Sequence, residues 1–436
     1  MNSSSTPSNA TSNSESGIAA ATKTNGSAPA NATAAAQERD TLVGVQVQAG
    51  ESRYERGVIM SLHNGIASMG ASLIRELRCL GNTELIQVYH CFPEELSDET
   101  SALLTRNDAM VEIIDVCTEL LQNDDVFAGD EKLAKTFQSY WLKPLALYHT
   151  KLQHVLLLDA DAILMRDPAA LREMSGYNRT GTVFFYDRAY SMLRFLNSMS
   201  HGSQLLKYLL RRFDYAKFNL SGPHPSQQLR DSLVYHELTA HEMDSSMVLI
   251  DKRRMGKALD IIKYLIMDVR FKLKFSWGDK EAFWLAYELA QQPYFFSPWG
   301  LSLLDSVPNG DLTEHADTLC GSMAHYVPTE NSTSTPELLY VNGKALLEPF
   351  PLGLDKSLVA DKKSRLFNLN PTHVTPRYRR SELLKKPQKR PKSFECMDKL
   401  GSAPLPRVFY KRLLQRRTHY FAAATKFYEG FDTCQS

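Results

Sequence analysis

The chain has 436 residues, 43% of them hydrophobic, and a formal net charge of +1. That length leaves room for one large domain or two smaller ones with a sizeable core, and the balanced charge argues against nucleic acid as the partner of the whole chain. The six cysteines, at 79, 91, 117, 320, 396 and 434, form no Cys-x-x-Cys pair, so no structural zinc site is expected.

Residues 1–38 are rich in Ser, Thr, Asn and Ala and nearly free of bulky apolar side chains, a composition expected to be disordered. Asn-x-Ser/Thr sequons stand at Asn2, Asn9, Asn25, Asn31, Asn178, Asn219 and Asn331, and their number favours a luminal chain. No signal peptide and no apolar run long enough to span a bilayer accompanies them. Folded sequence is expected from Arg53. Gly57–Ser61 reads as a strand, Leu62–Gly65 as a turn and Ala71–Leu80 as a helix. Leu85–Tyr89 is a second strand, Glu94–Thr105 has helical spacing, and Val111–Val116 is a third strand. Ala134–Lys151 reads as a helix with Pro144 as a weak point. Strands alternating with helices predict an α/β fold built on a parallel, doubly wound sheet.

The strand that follows, beginning at Val155, is apolar until it meets Asp159 and Asp161. An apolar run of this kind suits a strand covered on both faces. Carboxylates at its C-terminal end stand where open α/β sheets bind ligands. Two hard oxygen donors there suit Mn²⁺ or Mg²⁺ bridging the phosphates of a nucleotide. A strand end closed by an Asx turn is the structural alternative. Further strands are expected at Thr182–Tyr186, Ser246–Asp251 and Leu338–Asn342, and helices at Arg253–Leu265 and Lys280–Leu289, with an irregular lobe over 191–233.

Around this centre, the strand–turn–helix unit Gly57–Gly70 offers a place for a base and ribose, with Ser61, Asn64 and Gly65 as polar candidates. Asp244, Ser245 and Ser246 stand at a strand start where they could hold sugar hydroxyls, and capping is the plain alternative. Asp279 and Lys280 open a helix; Asp279 is either its N-cap or a group meeting the acceptor hydroxyl or donor sugar. A third metal ligand is expected from the C-terminal half, with His325 the choice and Asn342 its rival. Arg377–Lys392 carries eight Lys/Arg against one Glu and reads as a solvated tail, and Leu405–Tyr428 as an amphipathic docking helix. The even cysteine count permits disulfides, buried free thiols being an equal reading for Cys79, Cys91 and Cys117; Cys396 and Cys434 could pair.

In order, the blocks RGVIMSLHNGIASMGASLIRELRCLGNTELIQVYHC, KPLALYHTKLQHVLLLDADAILMRDP, TGTVFFYDR, DSSMVLIDK and WGDKEAFWLA resemble the fungal-type Golgi α-mannosyltransferases that add α-1,2- or α-1,3-linked mannose to mannans. The resemblance spans about Arg53 to Phe350. It implies a single GT-A catalytic domain over 51–360, a 1–50 stem and a basic extension over 361–436. It further implies GDP-mannose as donor, an α-mannoside or glycoprotein glycan as acceptor, Mn²⁺ (or Mg²⁺) as metal, and retention at the anomeric carbon. Asp159 and Asp161 match its metal motif, and Asp244, Ser245, Ser246, Asp279 and Lys280 its donor-binding and catalytic blocks. Ser246 departs from the expected glycine, with a side chain that could crowd the donor. A Golgi-luminal type II membrane protein is implied, and we expect this chain to lack the anchor. A UDP-sugar donor on the same fold and a non-catalytic glycan-binding relative are the alternatives.

Overall fold

The computed structural model describes residues 53–123, 126–306, 317–330, 337–347, 370–385 and 396–434. The Ser/Thr/Asn/Ala-rich stretch and the end of the basic run, 386–392, lie outside the described residues.

Val155–Leu158 are all buried, as an apolar run with no polar face must be, and the sheet around them supplies cover on both sides. Its strands are β1 (Arg56–Ser61), β2 (Leu85–His90), β3 (Val111–Asp115), β4 (His154–Leu158), β6 (Thr182–Tyr186) and β7 (Met243–Asp251). Their order is β3-β2-β1-β4-β7-β6. The first four run parallel, while β7 is antiparallel to both β4 and β6, so the sheet is mostly parallel, as expected of the fold class. A smaller antiparallel sheet joins β5 (Ala162–Leu164), β8 (Ser302–Leu303), β9 (Met323–Tyr326) and β10 (Leu338–Asn342) in the order β8-β9-β10-β5.

Alternation along the strands builds two cores. Val58 and Met60 face one, shared with Leu73 and Leu77 of helix α1 (Ala67–Cys79). Ile59 faces the other, filled by α2 (Leu142–His149), α3 (Lys257–Tyr264) and α4 (Ala282–Leu289). The single helix expected over Ala134–Lys151 is two: Glu131–Lys135, and α2 after a break. Pro144 stands in the first turn of α2, where its missing N–H costs nothing.

The C-terminal segment belongs to the same body, since residues 51–436 form one unit. Its helix α5 (Arg407–Thr425) lies on α1. The basic run does not begin as a solvated tail. Arg377 and Arg379 stand over the Trp299 ring at 4.3 and 3.8 Å, and Arg380, buried, donates to the Asp187 carbonyl at 2.8 Å. All six cysteines are paired: Cys79–Cys434, Cys91–Cys117 and Cys320–Cys396. The pairing of Cys396 with Cys434 is thereby overturned, because Cys396 faces Cys320 across a two-residue antiparallel ladder and α5 carries Cys434 back to the end of α1. The Cys79–Cys434 bond joins residues 355 apart in sequence. Cys434→Ser is expected to lower stability by about 2–4 kcal/mol, measured by urea unfolding of oxidised protein.

Candidate active site

β4 ends at Leu158 and the chain turns at once. The Asp159 N–H donates to the Ser246 carbonyl at 2.9 Å, and the Ala162 N–H donates back to the Asp159 carbonyl at 3.1 Å. Beyond the turn β5 pairs with β10, Ala162 opposite Asn342, and the Gly343 N–H donates to the Asp161 carbonyl at 3.3 Å. Asp159 and Asp161 are therefore not alternate residues of one strand. They come off a turn pinned between two sheets, and both line a cleft of about 430 Å³ with Ser61, Lys143, Asn342 and Lys344. The Ser61 hydroxyl is buried there without a hydrogen-bond partner among the described residues, a donor left for a ligand.

Lys143 organises the carboxylates. Its ammonium donates to Asp159 Oδ1 at 2.8 Å, to the Ser245 carbonyl at 3.0 Å and to Ser245 Oγ at 3.2 Å, and pairs with Asp279 Oδ2 at 3.0 Å. Burial opposes its charge, but the charges of Asp159 and Asp279 outweigh burial and raise its pKa. Burial, and then the like charge of Asp159, push Asp161 up to about 7. Two carboxylates and the Asn342 amide oxygen are hard donors, and the strain between the carboxylates is what a divalent cation relieves, so the residues fit Mn²⁺ or Mg²⁺. Among the described residues no group of three His, Cys, Asp or Glu side chains is arranged to hold a metal ion.

His325 is not placed as a metal ligand. Its Nε2 bonds Asp244 Oδ2 at 2.9 Å, its ring stacks on Tyr340 at 4.8 Å, and it is 2% exposed. The pattern of a lone histidine did not reveal that Asp244 would claim it; Asn342 is the residue that shares the cleft with the two aspartates. Alternation along β7 sends Asp244 and Ser246 to one face and Ser245 to the other, toward Lys143. Ser246 Oγ donates to Asp244 Oδ2 at 2.6 Å and bonds the Tyr340 hydroxyl at 3.1 Å. It is fully buried and does not line the cleft, where a side chain was expected to crowd the donor.

Burial would raise the Asp244 carboxyl, yet hydrogen bonding and charge from His325, with the charge of Lys280, hold it well below the usual carboxylate range. Asp279 is raised, by burial first, against the lowering effect of Lys143. Lys280 does not reach the cleft wall; its ammonium binds Asp187, a partner that sequence reading missed. Asp244 and Asp279 are also buried, each 2% exposed, behind the cleft lined by Asp159. Asn64 and Gly65 fall outside the lining. Asn64 Oδ1 instead accepts from the Ser97 N–H at 3.0 Å and from Thr100 Oγ1 at 2.8 Å, tying down the loop after β1.

A second missed residue comes from α5. Arg416, fully buried, donates to the carbonyls of Ala160 and Ala162, the two neighbours of Asp161, and to the Met69 carbonyl of α1. It also pairs with Glu76 at 3.1 Å. Each of the two missed cations carries a local sign of burial: Lys143 stands among apolar Leu142, Leu145 and Ala146, and Arg416 falls at helical spacing from Phe409 and Leu413. Burial pushes the Glu76 carboxyl up to about 8, against the lowering effect of Arg416. The folded chain then keeps a proton that the unfolded chain loses near 4.5, so stability falls as pH rises through that window. Glu76→Gln is expected to flatten the decline between those values, followed by urea midpoints across pH. Lys143→Met, which strands the buried Asp279 carboxylate and removes the counter-charge of half-buried Asp159, is expected to cost about 3 kcal/mol in the same assay.

A family model described as "Mannosyltransferase putative" matches residues 55–326. The chain is 26% identical to "Probable alpha-1,3-mannosyltransferase MNT4" of Saccharomyces cerevisiae, over 67% of this chain and 50% of that protein. It is 25% identical to "Alpha-1,3-mannosyltransferase MNT3" of the same yeast, over 65% of this chain and 44% of that protein. The chain thus spans about half the length of the curated relatives it matches. Among solved structures it is similar to the bifunctional glycosyltransferase WbbM, with a TM-score of 0.35 and 10% identity over 55% of this chain and 38% of that one. It is also similar to the galactosyltransferase LgtC, with a TM-score of 0.29 and 11% identity over 52% of this chain and 69% of that one. With more than half of its residues inside the family match, and with the ordered blocks that predicted it, the chain belongs to this mannosyltransferase family.

Proposed function

We propose that this chain is a metal-dependent, retaining GT-A mannosyltransferase that moves mannose from GDP-mannose to an α-mannoside or glycoprotein glycan. The observation that carries the reading is the cleft at the end of β4, lined by Asp159, Asp161 and Asn342 together with Ser61, whose hydroxyl has no hydrogen-bond partner among the described residues. The family match supports sugar transfer as the chemistry.

Asp159, Asp161 and Asn342 would hold the Mn²⁺ or Mg²⁺. When bound, the ion supplies Lewis-acid neutralisation of the charge that grows on the departing diphosphate. The remaining work falls to the chain's own groups. Ser61 offers its hydroxyl to the nucleotide half of the donor. Lys143 keeps Asp159 and Asp279 at fixed separations, so the metal side and the sugar side of the site move together. Asp244, held ionised by His325, supplies negative charge behind the sugar site as the anomeric carbon becomes positive. In a retaining transfer the acceptor ends on the face the diphosphate leaves, through a covalent intermediate or a shared-face oxocarbenium-like state; Asp244 and Asp279, buried outside the cleft lining, would act on that centre through their charge.

Three disulfides suit an oxidising compartment, and with the sequons they support a Golgi-luminal location. No helix among the described residues is long and apolar enough to cross a membrane.

A thermal-shift panel of nucleotide sugars with Mn²⁺ tests the donor, because a ligand specific to the folded state raises the melting temperature. GDP-mannose is expected to give the largest shift; a larger shift with a UDP-sugar would reassign the donor. Asp159→Ala and Asp161→Ala are each expected to lower mannosyl transfer at least about a hundredfold, read with a labelled donor. His325→Ala is expected to cost about 3–5 kcal/mol of stability through Asp244 while leaving transfer dependent on Mn²⁺.

A further inference from the structure

Beside the cleft lies a surface that no step above uses. Trp277 is 56% exposed and Leu193 is 66% exposed, large apolar groups left in water where a folded chain has reason to bury them. They border a depression of about 400 Å³ whose other walls are Arg194, Phe195, Ser198 and Lys274. The aromatic wall is braced. Phe195, itself buried, meets the Trp277 ring edge-on at 5.8 Å and packs on His241 at 4.6 Å. Its backbone takes a φ of 52°, a left-handed conformation that a bulky side chain adopts only when its surroundings impose it.

The depression connects to the reacting groups through the backbone. Trp277 precedes Gly278, which has a φ of 65° and packs so tightly on Tyr140 that an added Cβ would lie 2.8 Å from the Tyr140 Cβ. Tyr140, 65% exposed, lines the cleft with Asp159, and the residue after Gly278 is Asp279. A ligand lying on Trp277 is therefore one residue of backbone from Gly278 and next to the wall that Tyr140 forms.

We propose that this depression is the acceptor subsite, with Trp277 the platform on which a sugar ring of the acceptor glycan stacks; the assignment rests on the transferase reading above. A pyranose has an apolar C–H face and a rim of hydroxyls. An indole matches the face, and the Arg194, Lys274 and Ser198 side chains supply partners for the rim. An acyl chain or an apolar peptide would leave those cations unmatched, so the surface suits a carbohydrate better. The link from Trp277 through Gly278 to Tyr140 on the cleft wall and to Asp279 makes that carbohydrate the acceptor rather than a remote ligand.

The test uses the full chain with Mn²⁺ and α-linked mannooligosaccharides. Oligosaccharide binding is followed by titration calorimetry, transfer by acceptor KM, and donor affinity by a separate titration with GDP-mannose. Trp277→Ala is expected to weaken oligosaccharide binding and raise acceptor KM about tenfold, with donor affinity unchanged, while Trp277→Phe keeps most of the affinity. Phe421→Ala, at an exposed aromatic on α5, controls for nonspecific loss of surface apolar area. Unchanged binding and KM in Trp277→Ala would overturn the subsite, as would a wild-type chain that binds no oligosaccharide. Trp277-dependent binding without transfer from any nucleotide sugar would instead leave the subsite standing and remove the transferase reading.

Discussion

The site depends on one buried ammonium. Lys143 is 5% exposed and sits among Asp159, Asp279 and the Ser245 carbonyl and hydroxyl. These partners come from the turn after β4, the turn before α4 and the start of β7, so a single charge couples three elements at one end of the sheet. Asp279 is a buried carboxylate, costly without that counter-charge, and Asp159 stands half-buried beside it. With Lys143 in place, Asp159 can remain beside Asp161 even though burial and repulsion make that proximity unfavourable for Asp161. Under the proposed function, a divalent cation in the cleft would lessen that penalty.

Rigidity around the turn comes from elsewhere in the chain. β10 pairs with β5 on one side, and Arg416 of α5 holds the carbonyls on both sides of Asp161. Arg416 lies beyond the family-matched region, 254 residues from Ala162 in sequence. The Cys79–Cys434 disulfide fastens the end of that segment to α1. The C-terminal segment is thus part of the scaffold of the cleft. Loss of α5 would leave Glu76 buried without its guanidinium and the Asp161 turn without two of its hydrogen-bond donors.

Much of this architecture is legible in the sequence because it rests on local pattern. The apolar run before Asp159 requires a central strand, and the helix–strand alternation up to Asp159 requires a mostly parallel sheet. The reading failed where the deciding partner is distant. Ala134–Lys151 has continuous helical periodicity, yet the chain breaks after Thr136 and restarts at Leu142. His325 carries the residue type of a metal ligand, but Asp244, brought close by the stacking of the small sheet on β7, takes its Nε2. Lys143 and Arg416 were read as parts of helices because nothing in their neighbourhoods names the carboxylates and carbonyls they serve. Disulfide pairing followed the same rule: Cys396 and Cys434 are near in sequence, but each is paired across the fold.

The central claim is that Asp159 and Asp161 hold a divalent ion against a nucleoside diphosphate. Electron paramagnetic resonance of Mn²⁺ with GDP carrying ¹⁷O in its diphosphate tests it directly. The account predicts one bound Mn²⁺ whose signal is broadened by the labelled oxygens, lost in Asp159→Ala/Asp161→Ala. A wild-type chain that binds no Mn²⁺ with GDP, or a double variant with the same broadened signal, would contradict it.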